Sequence, residues 1–246
     1  MAQLALVMMV CLMWLSQPAR ADTLVLSVPD TQYPPYVVEA DGRMQGILLD
    51  PLIDAAERAG IRLEFQLLPE LRSQRMLERG LIDGRMESPS WIAQPELYLW
   101  TTFMLPMRDV LVYHQQHKPE SETDDALANY EIVTHLGYAY PELQPWFDQG
   151  QAARIDKISE RNMLLALLDP NISRFGRAAV MEQGVAGWYL DNTAELQKQP
   201  LVFGERLFGC AMMGFQLSNT PEIKALLERL NQHMSVDVDS VGRCPQ

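Results

Sequence analysis

Basic charge, histidine and cysteine are all scarce in this chain. Lys and Arg together number 20 against 32 Asp and Glu, a formal charge of -12 over 246 residues. Such a balance repels the phosphate backbone of nucleic acid and the anionic face of a membrane, so neither is expected as a partner. The histidines, His114, His117, His135 and His233, are scattered, and none sits with a cysteine or carboxylate at ligand spacing. No metal site is expected from them. Also missing are a Gly-Xaa-Ser-Xaa-Gly elbow, a His-Glu-Xaa-Xaa-His helix, a phosphate-cradling glycine loop and a dinucleotide fingerprint, so nothing points to a cofactor or to an enzyme.

Long apolar runs are missing as well, apart from one at the N-terminus. Leu4 to Leu15 is apolar, and Ser16-Gln17-Pro18 and Ala19-Arg20-Ala21 follow it. The run is too short to span a bilayer comfortably, and small residues at Ala19 and Ala21 suit cleavage before Asp22. Residues 1–21 are read as an export signal, with an uncleaved anchor helix as the competing reading, and the expected location is the periplasm. Cys11 follows Val10 where a lipidation site needs a small residue. The mature chain then holds two cysteines, Cys210 and Cys244, an even pair in an oxidising compartment. A disulfide is expected there, closing a loop worth about 3 to 4 kcal/mol. It requires Cα atoms within about 7 Å of each other.

What is present is an ordinary globular composition, 48% hydrophobic and 21% charged, organised as alternating strands and helices. Thr23 to Val28 alternates as a strand, Asp41-Gly42 marks a turn, and Leu49, Leu52, Ile53 and Ala56 recur at helical spacing before Gly60. Ile61 to Leu67 and Leu81 to Met86 read as strands around a helix at Arg72 to Glu78. Leu97 to His114 reads as a strand leaving one unit for another, and the polar run Gln115 to Asp125 is the linker candidate. A second series follows, with strands at Ile132 to Thr134, Arg154 to Ile158 and Ala178 to Met181. Its helices follow Pro141, run from Glu160 to Leu168, and begin at Val185. Cys210 to Leu217 reads as a returning strand, and Thr220-Pro221-Glu222 opens a last helix. The expected fold is α/β with two parallel-sheet lobes: residues 22–110 with 215–246 returning, and residues 111–214.

Several segments carry a resemblance to a known family. Tyr33-Pro34-Pro35-Tyr36, Asp41-Gly42 and Gly46-Ile47-Leu48-Leu49-Asp50 form one block, and Leu77-Glu78-Arg79-Gly80-Leu81-Ile82-Asp83-Gly84 a second. Leu207-Phe208-Gly209, Gly214-Phe215-Gln216-Leu217 and Pro221-Glu222-Ile223 form a third. Over nearly all of the mature chain the pattern resembles the family 3 extracellular solute-binding proteins, the periplasmic components of amino-acid ABC importers. The resemblance implies two lobes joined by two hinge crossings, the type II periplasmic binding protein fold. It also implies a monomer that closes on a small polar ligand and hands it to an ABC permease.

By the same resemblance, Tyr33 stacks on the ligand, with Tyr36 beside it as a lesser candidate. Ser88, Ser90 and Trp91 border the cleft, where hydroxyl and backbone donors meet a ligand carboxylate. Glu182 stands where an aspartate receives the ligand's ammonium, and Tyr138 where a small hydroxyl residue is usual. Against these stand plainer readings: a loop tyrosine packed on proline, a polar turn, a half-buried tryptophan and a helix-start carboxylate. The family's carboxylate-binding arginine falls on Pro95, which places ordinary α-amino acid recognition in question. Arg72 and Arg85 are the candidates to replace it, and each also reads as a solvated surface charge. Two alternatives stay open: a periplasmic sensor without transport, and a dehydratase-like enzyme using Glu87 or Glu182.

Overall fold

The computed structural model describes residues 22–234 together with Cys244. The expected export signal at residues 1–21 and the remainder of the tail lie outside the described residues. The chain opens with β1 (Asp22–Pro29) and a small hairpin, β2 (Val38–Ala40) and β3 (Arg43–Gln45), then α1 (Leu49–Ala59) and β4 (Ile61–Leu68). Both turn residues of the hairpin, Asp41 at φ 52° and Gly42 at φ 71°, are left-handed, as a two-residue turn matched to strand twist requires. Helix α1 buries Leu49, Leu52 and Ala56 of the expected stripe and Ala55 besides, with Ile53 partly buried, and Gly60 ends it in the left-handed conformation.

Next come α2 (Glu70–Glu78), β5 (Gly84–Glu87), β6 (Leu99–Trp100) and β7 (Leu105–His114). The second series is α3 (Asp124–Leu127), β8 (Glu131–His135), α4 (Gln144–Asp148), β9 (Ala153–Lys157), α5 (Glu160–Ala166), β10 (Arg177–Glu182) and α6 (Gln183–Asn192). Strand β11 (Leu201–Leu217) and α7 (Pro221–His233) complete the described residues.

The strands join in the order β4-β1-β5-β11-β7-β10-β8-β9, with β6 also paired to β11. Strands β1, β4 and β5 pair in parallel, as do β8, β9 and β10. Between these groups run β7 and β11, antiparallel to each other and to their neighbours. The result is the two-lobed type II periplasmic binding protein architecture. Strand β11 pairs with β7 from Leu201 to Met213 and with β5 from Gly214 to Leu217, so the chain passes between lobes at Met213–Gly214. The other crossing is Thr101 to Leu105. The Thr101 hydroxyl accepts the Phe215 amide at 3.1 Å and donates to the Phe103 carbonyl at 3.1 Å. Because strands alternate, Leu111, Tyr113, Ala178 and Val180 build one core while Val112, Ala179 and Met181 face the larger one.

The structure departs from the sequence reading in four places. The first lobe ends at the Thr101 to Leu105 crossing and not near residue 110, because β7 pairs with β10 and with the Leu201 to Met213 part of β11. Strand β11 starts at Leu201, well before Cys210, because Gly204, Glu205 and Arg206 break the apolar alternation where the ladder shifts register. The polar run Gln115 to Asp125 does not cross between lobes. Its Glu122 accepts the Glu205 and Arg206 amides of that bulge at 2.6 and 2.8 Å and the Tyr113 hydroxyl at 2.6 Å, so its polarity serves the second lobe. Helix α2 begins at Glu70, two residues before the expected start, because Pro69 sits in extended geometry at its cap. The expected disulfide is present, Cys210 to Cys244, with Cα atoms 5.4 Å apart.

Two stability predictions follow from local geometry. A Cβ on Gly46 (φ 134°) would lie 2.3 Å from the Tyr36 carbonyl oxygen, whereas one on Gly42 meets nothing within 4 Å. Gly46→Ala should therefore cost on the order of 3 kcal/mol or more in urea unfolding, and Gly42→Ala only about 1; equal losses would refute the packing argument. Replacing both Cys210 and Cys244 by serine should lower stability by about 3 to 4 kcal/mol.

Candidate functional site

A cavity of about 360 Å³ lies where the lobes and the crossing strands meet. The first lobe lines it with Tyr33, Glu70, Leu71, Gln74, Arg85, Glu87 and Trp91. The crossing strands add Asp109 and Met213, and the second lobe adds His135, Tyr138, Tyr140, Glu160, Met163, Met181 and Glu182. This is the position expected in an open α/β sheet, where loops and helix starts beyond the strand ends surround a crevice.

Six of the residues singled out from the sequence converge here: Tyr33, Arg85, Glu87, Trp91, Tyr138 and Glu182. Three stand off. Arg72 is exposed on α2, whose other face turns Glu70 and Gln74 inward, because residues one or two apart on a helix point in different directions. Ser88 is fully buried and Ser90 exposed; their hydroxyls bond each other at 2.8 Å, and Ser88 accepts the Ser90 amide at 3.3 Å. Tyr36, the lesser candidate, reaches across from the first lobe. Its hydroxyl lies where a Cβ on Gly184 would be only 2.7 Å away, and Glu182 holds its proton through a hydrogen bond.

Arg85 is 4% exposed, and each nitrogen of its guanidinium donates one hydrogen bond. Its Nε donates to Gln216 Oε1 at 2.7 Å, Nη1 to Glu70 and Nη2 to Glu87. Two carboxylates therefore share one cation. Burial pushes the Glu87 carboxyl up to about 7, against the pull of Arg85 and the Ser88 amide, with Glu70 adding to the rise. Asp109 is likewise pushed up to about 7, first by burial and then by Glu182 and Glu142.

Glu182 caps α6, accepting the Val185 amide at 2.8 Å, and so fills the helix-start role while also facing the cavity. Burial raises its carboxyl above the usual range, partly opposed by the Val185 and Arg108 amides. Glu160 is 3% exposed, and among the described residues neither of its carboxylate oxygens has a hydrogen-bond partner, nor does the His135 Nε2 that lies 3.8 Å from it. Burial raises Glu160 as well; His135 foremost opposes the shift, and the Tyr138 hydroxyl opposes it too. The His135 and Tyr138 rings stack with centroids 4.1 Å apart, and burial keeps the Tyr33 and Tyr138 hydroxyls firmly protonated. Among the described residues no group of histidine, cysteine and carboxylate side chains is arranged to hold a metal, and no helix is long and apolar enough to cross a membrane.

Sequence reasoning missed Asp109, Glu160 and the pairing of Glu70 with Glu87. Asp109 did carry a signal, a charge inside the apolar strand Leu105–His114, where burial is costly without a purpose. Glu160 carried none: after Ser159 it reads as an ordinary first-turn acid.

No protein-family model matches the chain, and no curated protein matches it. Solved structures do. A histidine kinase sensor domain with similarity to periplasmic binding proteins aligns at TM-score 0.69 and 19% identity, over 87% of this chain and 90% of that one. The arginine-bound form of a truncated ArgBP from T. maritima aligns at 0.65 and 16%, over 86% and 94%. An amino acid ABC transporter substrate-binding protein, AbpA of Streptococcus pneumoniae, bound to L-arginine, aligns at 0.65 and 15%, over 86% and 87%. The chain therefore has the periplasmic binding protein fold. Within that class it shares its architecture with amino-acid ABC substrate-binding proteins and with a sensor domain.

The raised carboxyls set a pH dependence. A folded-state value above the unfolded one means that the folded protein holds its proton more tightly. The stability gained is complete below the ordinary carboxylate range and is lost as pH rises through about 7 for Glu87 and Asp109. The protein without added solute should melt several degrees lower at pH 8 than at pH 5. The double variant Glu87→Gln with Asp109→Asn should flatten that slope, and an unchanged slope would contradict the assignment.

Proposed function

We propose that this chain is an exported solute-binding protein, cleaved between Ala21 and Asp22, that captures a small organic molecule between its lobes and delivers it for ABC import. The observation that carries the reading is the composition of the cavity wall, drawn at once from the first lobe, from β7 and β11, and from the second lobe. Closing such a cavity on a solute couples binding to the relative position of the lobes, which is how a two-lobed protein reports occupancy to a partner. A lobe boundary near residue 214 fits the exchange of strand partners at Met213 and Gly214, and the other boundary fits the crossing at Thr101 to Leu105. The likeness to arginine-bound transporter components supports import.

A second reading, a sensor that signals occupancy without transport, is favoured by the likeness to a histidine kinase sensor domain. Loss of uptake of the bound solute on gene deletion supports import. Intact uptake with a lost transcriptional response supports sensing.

Solute capture itself is tested by a melting-temperature screen of amino acids, amines, small carboxylates and aromatic metabolites at millimolar concentration, with Trp91 fluorescence as the second signal. A solute at about 100 times its dissociation constant should add roughly 2.7 kcal/mol, several degrees for a chain of this size. A flat screen with a folded sample would overturn the reading.

A further inference from the structure

We infer that the cleft takes a small organic cation that carries no carboxylate, an amine or guanidine on a short apolar framework, and that Glu160 is the group that receives its charge. The inference rests on the cleft being a solute site and names the class of solute.

Two independent observations carry it. The first is the balance of charge in the wall. Five carboxylates, Glu70, Glu87, Asp109, Glu160 and Glu182, face the cavity, and the guanidinium of Arg85 is the one Lys or Arg group among the described residues that lines it. Three of the five N–H donors of Arg85 are already bonded, to Gln216, Glu70 and Glu87. An arriving carboxylate would have to share the guanidinium with two carboxylates held against it, and so meets like-charge repulsion at close range. Arg72 faces solvent, and Pro95 stands where the resemblance expects an arginine.

The second observation is Glu160 itself. It is 3% exposed at the cavity wall, and neither oxygen lies within hydrogen-bond geometry of a partner among the described residues; the groups nearest it are the His135 ring, 3.8 Å away, and the Tyr138 hydroxyl. A buried carboxylate without donors is costly, and an ammonium or guanidinium supplies the N–H groups that satisfy it. Nearby rings suit the same ligand. Tyr33 and Tyr138 are aromatic walls within electrostatic reach of Glu160, and a cation gains from the face of such a ring. Met163 and Met181 provide apolar wall for a methylene chain. Asp109 and Glu182 line the same cavity and add to its negative charge.

Agmatine and L-arginine form the decisive pair, because they share a guanidinium and a methylene chain and differ by the carboxylate. Isothermal titration of the purified protein should show agmatine binding at least tenfold more tightly than L-arginine, with putrescine binding better than ornithine. Glu160→Gln should weaken agmatine at least tenfold while the melting temperature without ligand stays the same or rises, since the amide removes a buried charge. A purely structural role for Glu160 would instead lower that melting temperature and leave affinity unchanged. Equal or tighter binding of L-arginine overturns the inference without recourse to any variant. If carboxylates or sugars shift the melt while agmatine and putrescine do not, solute capture stands and the cation inference falls. If no solute of any class shifts it, both fall.

Discussion

The antiparallel pairing of β7 with β11 is the constraint on which the rest of the molecule depends. These two strands are the seam between the lobes, and each contributes to both the sheet and the cavity. Strand β11 changes partner from β7 to β5 between Met213 and Gly214. There a Cβ on Gly214 would lie within 3 Å of the Met104 and Thr101 side chains, so the two crossings run side by side and the glycine makes room for the side chains of the other. Their close approach places Asp109 and Met213 at the floor of the cavity and holds the two sets of parallel strands with their loops facing each other. Backbone hydrogen bonds across the seam satisfy groups that would be expensive to bury unpaired.

Around that seam the molecule concentrates negative charge. Burying carboxylates costs several kcal/mol each unless cations or donors compensate, and the compensation is uneven. Glu182 has helix amides, and Glu70 and Glu87 divide Arg85 between them. Glu160 has neither. Protons make up part of the difference, which is why Glu87 and Asp109 rise to about 7. A wall that holds this much charge without internal partners gives up folding stability, a pattern found where a site is organised for something other than the fold.

Much of this was legible in the sequence. The stripe Leu49, Leu52, Ala56 with Gly60 behind it encodes α1 locally, because 3.6-residue periodicity and a left-handed cap need no distant information. The short apolar strands separated by helices announce parallel lobes for the same reason. Tyr33, Trp91, Tyr138 and Glu182 were placed near the cleft by segment likeness. The first half of β11 was not legible, because a bulge at Glu205 and Arg206 is stabilised by Glu122, more than eighty residues away in sequence. Ser88 and Ser90 looked like ligand donors, yet a hydroxyl can bond its neighbour as well as a solute, and here the two bond each other.

By itself the chain determined its alternation of strands and helices, its helix stops and its pair of late cysteines. All of these are properties of composition or of short-range pattern. Only the tertiary structure decided the electrostatics of the cleft. Whether Arg85 is free or committed depends on Glu70 and Gln216, which approach it from a different helix and a different strand. Whether Glu160 is an ordinary first-turn acid or a buried charge without a donor depends on what the second lobe packs around it. Charge and burial are joint properties of groups that meet only when the sheet has formed, and local sequence carries no record of that meeting.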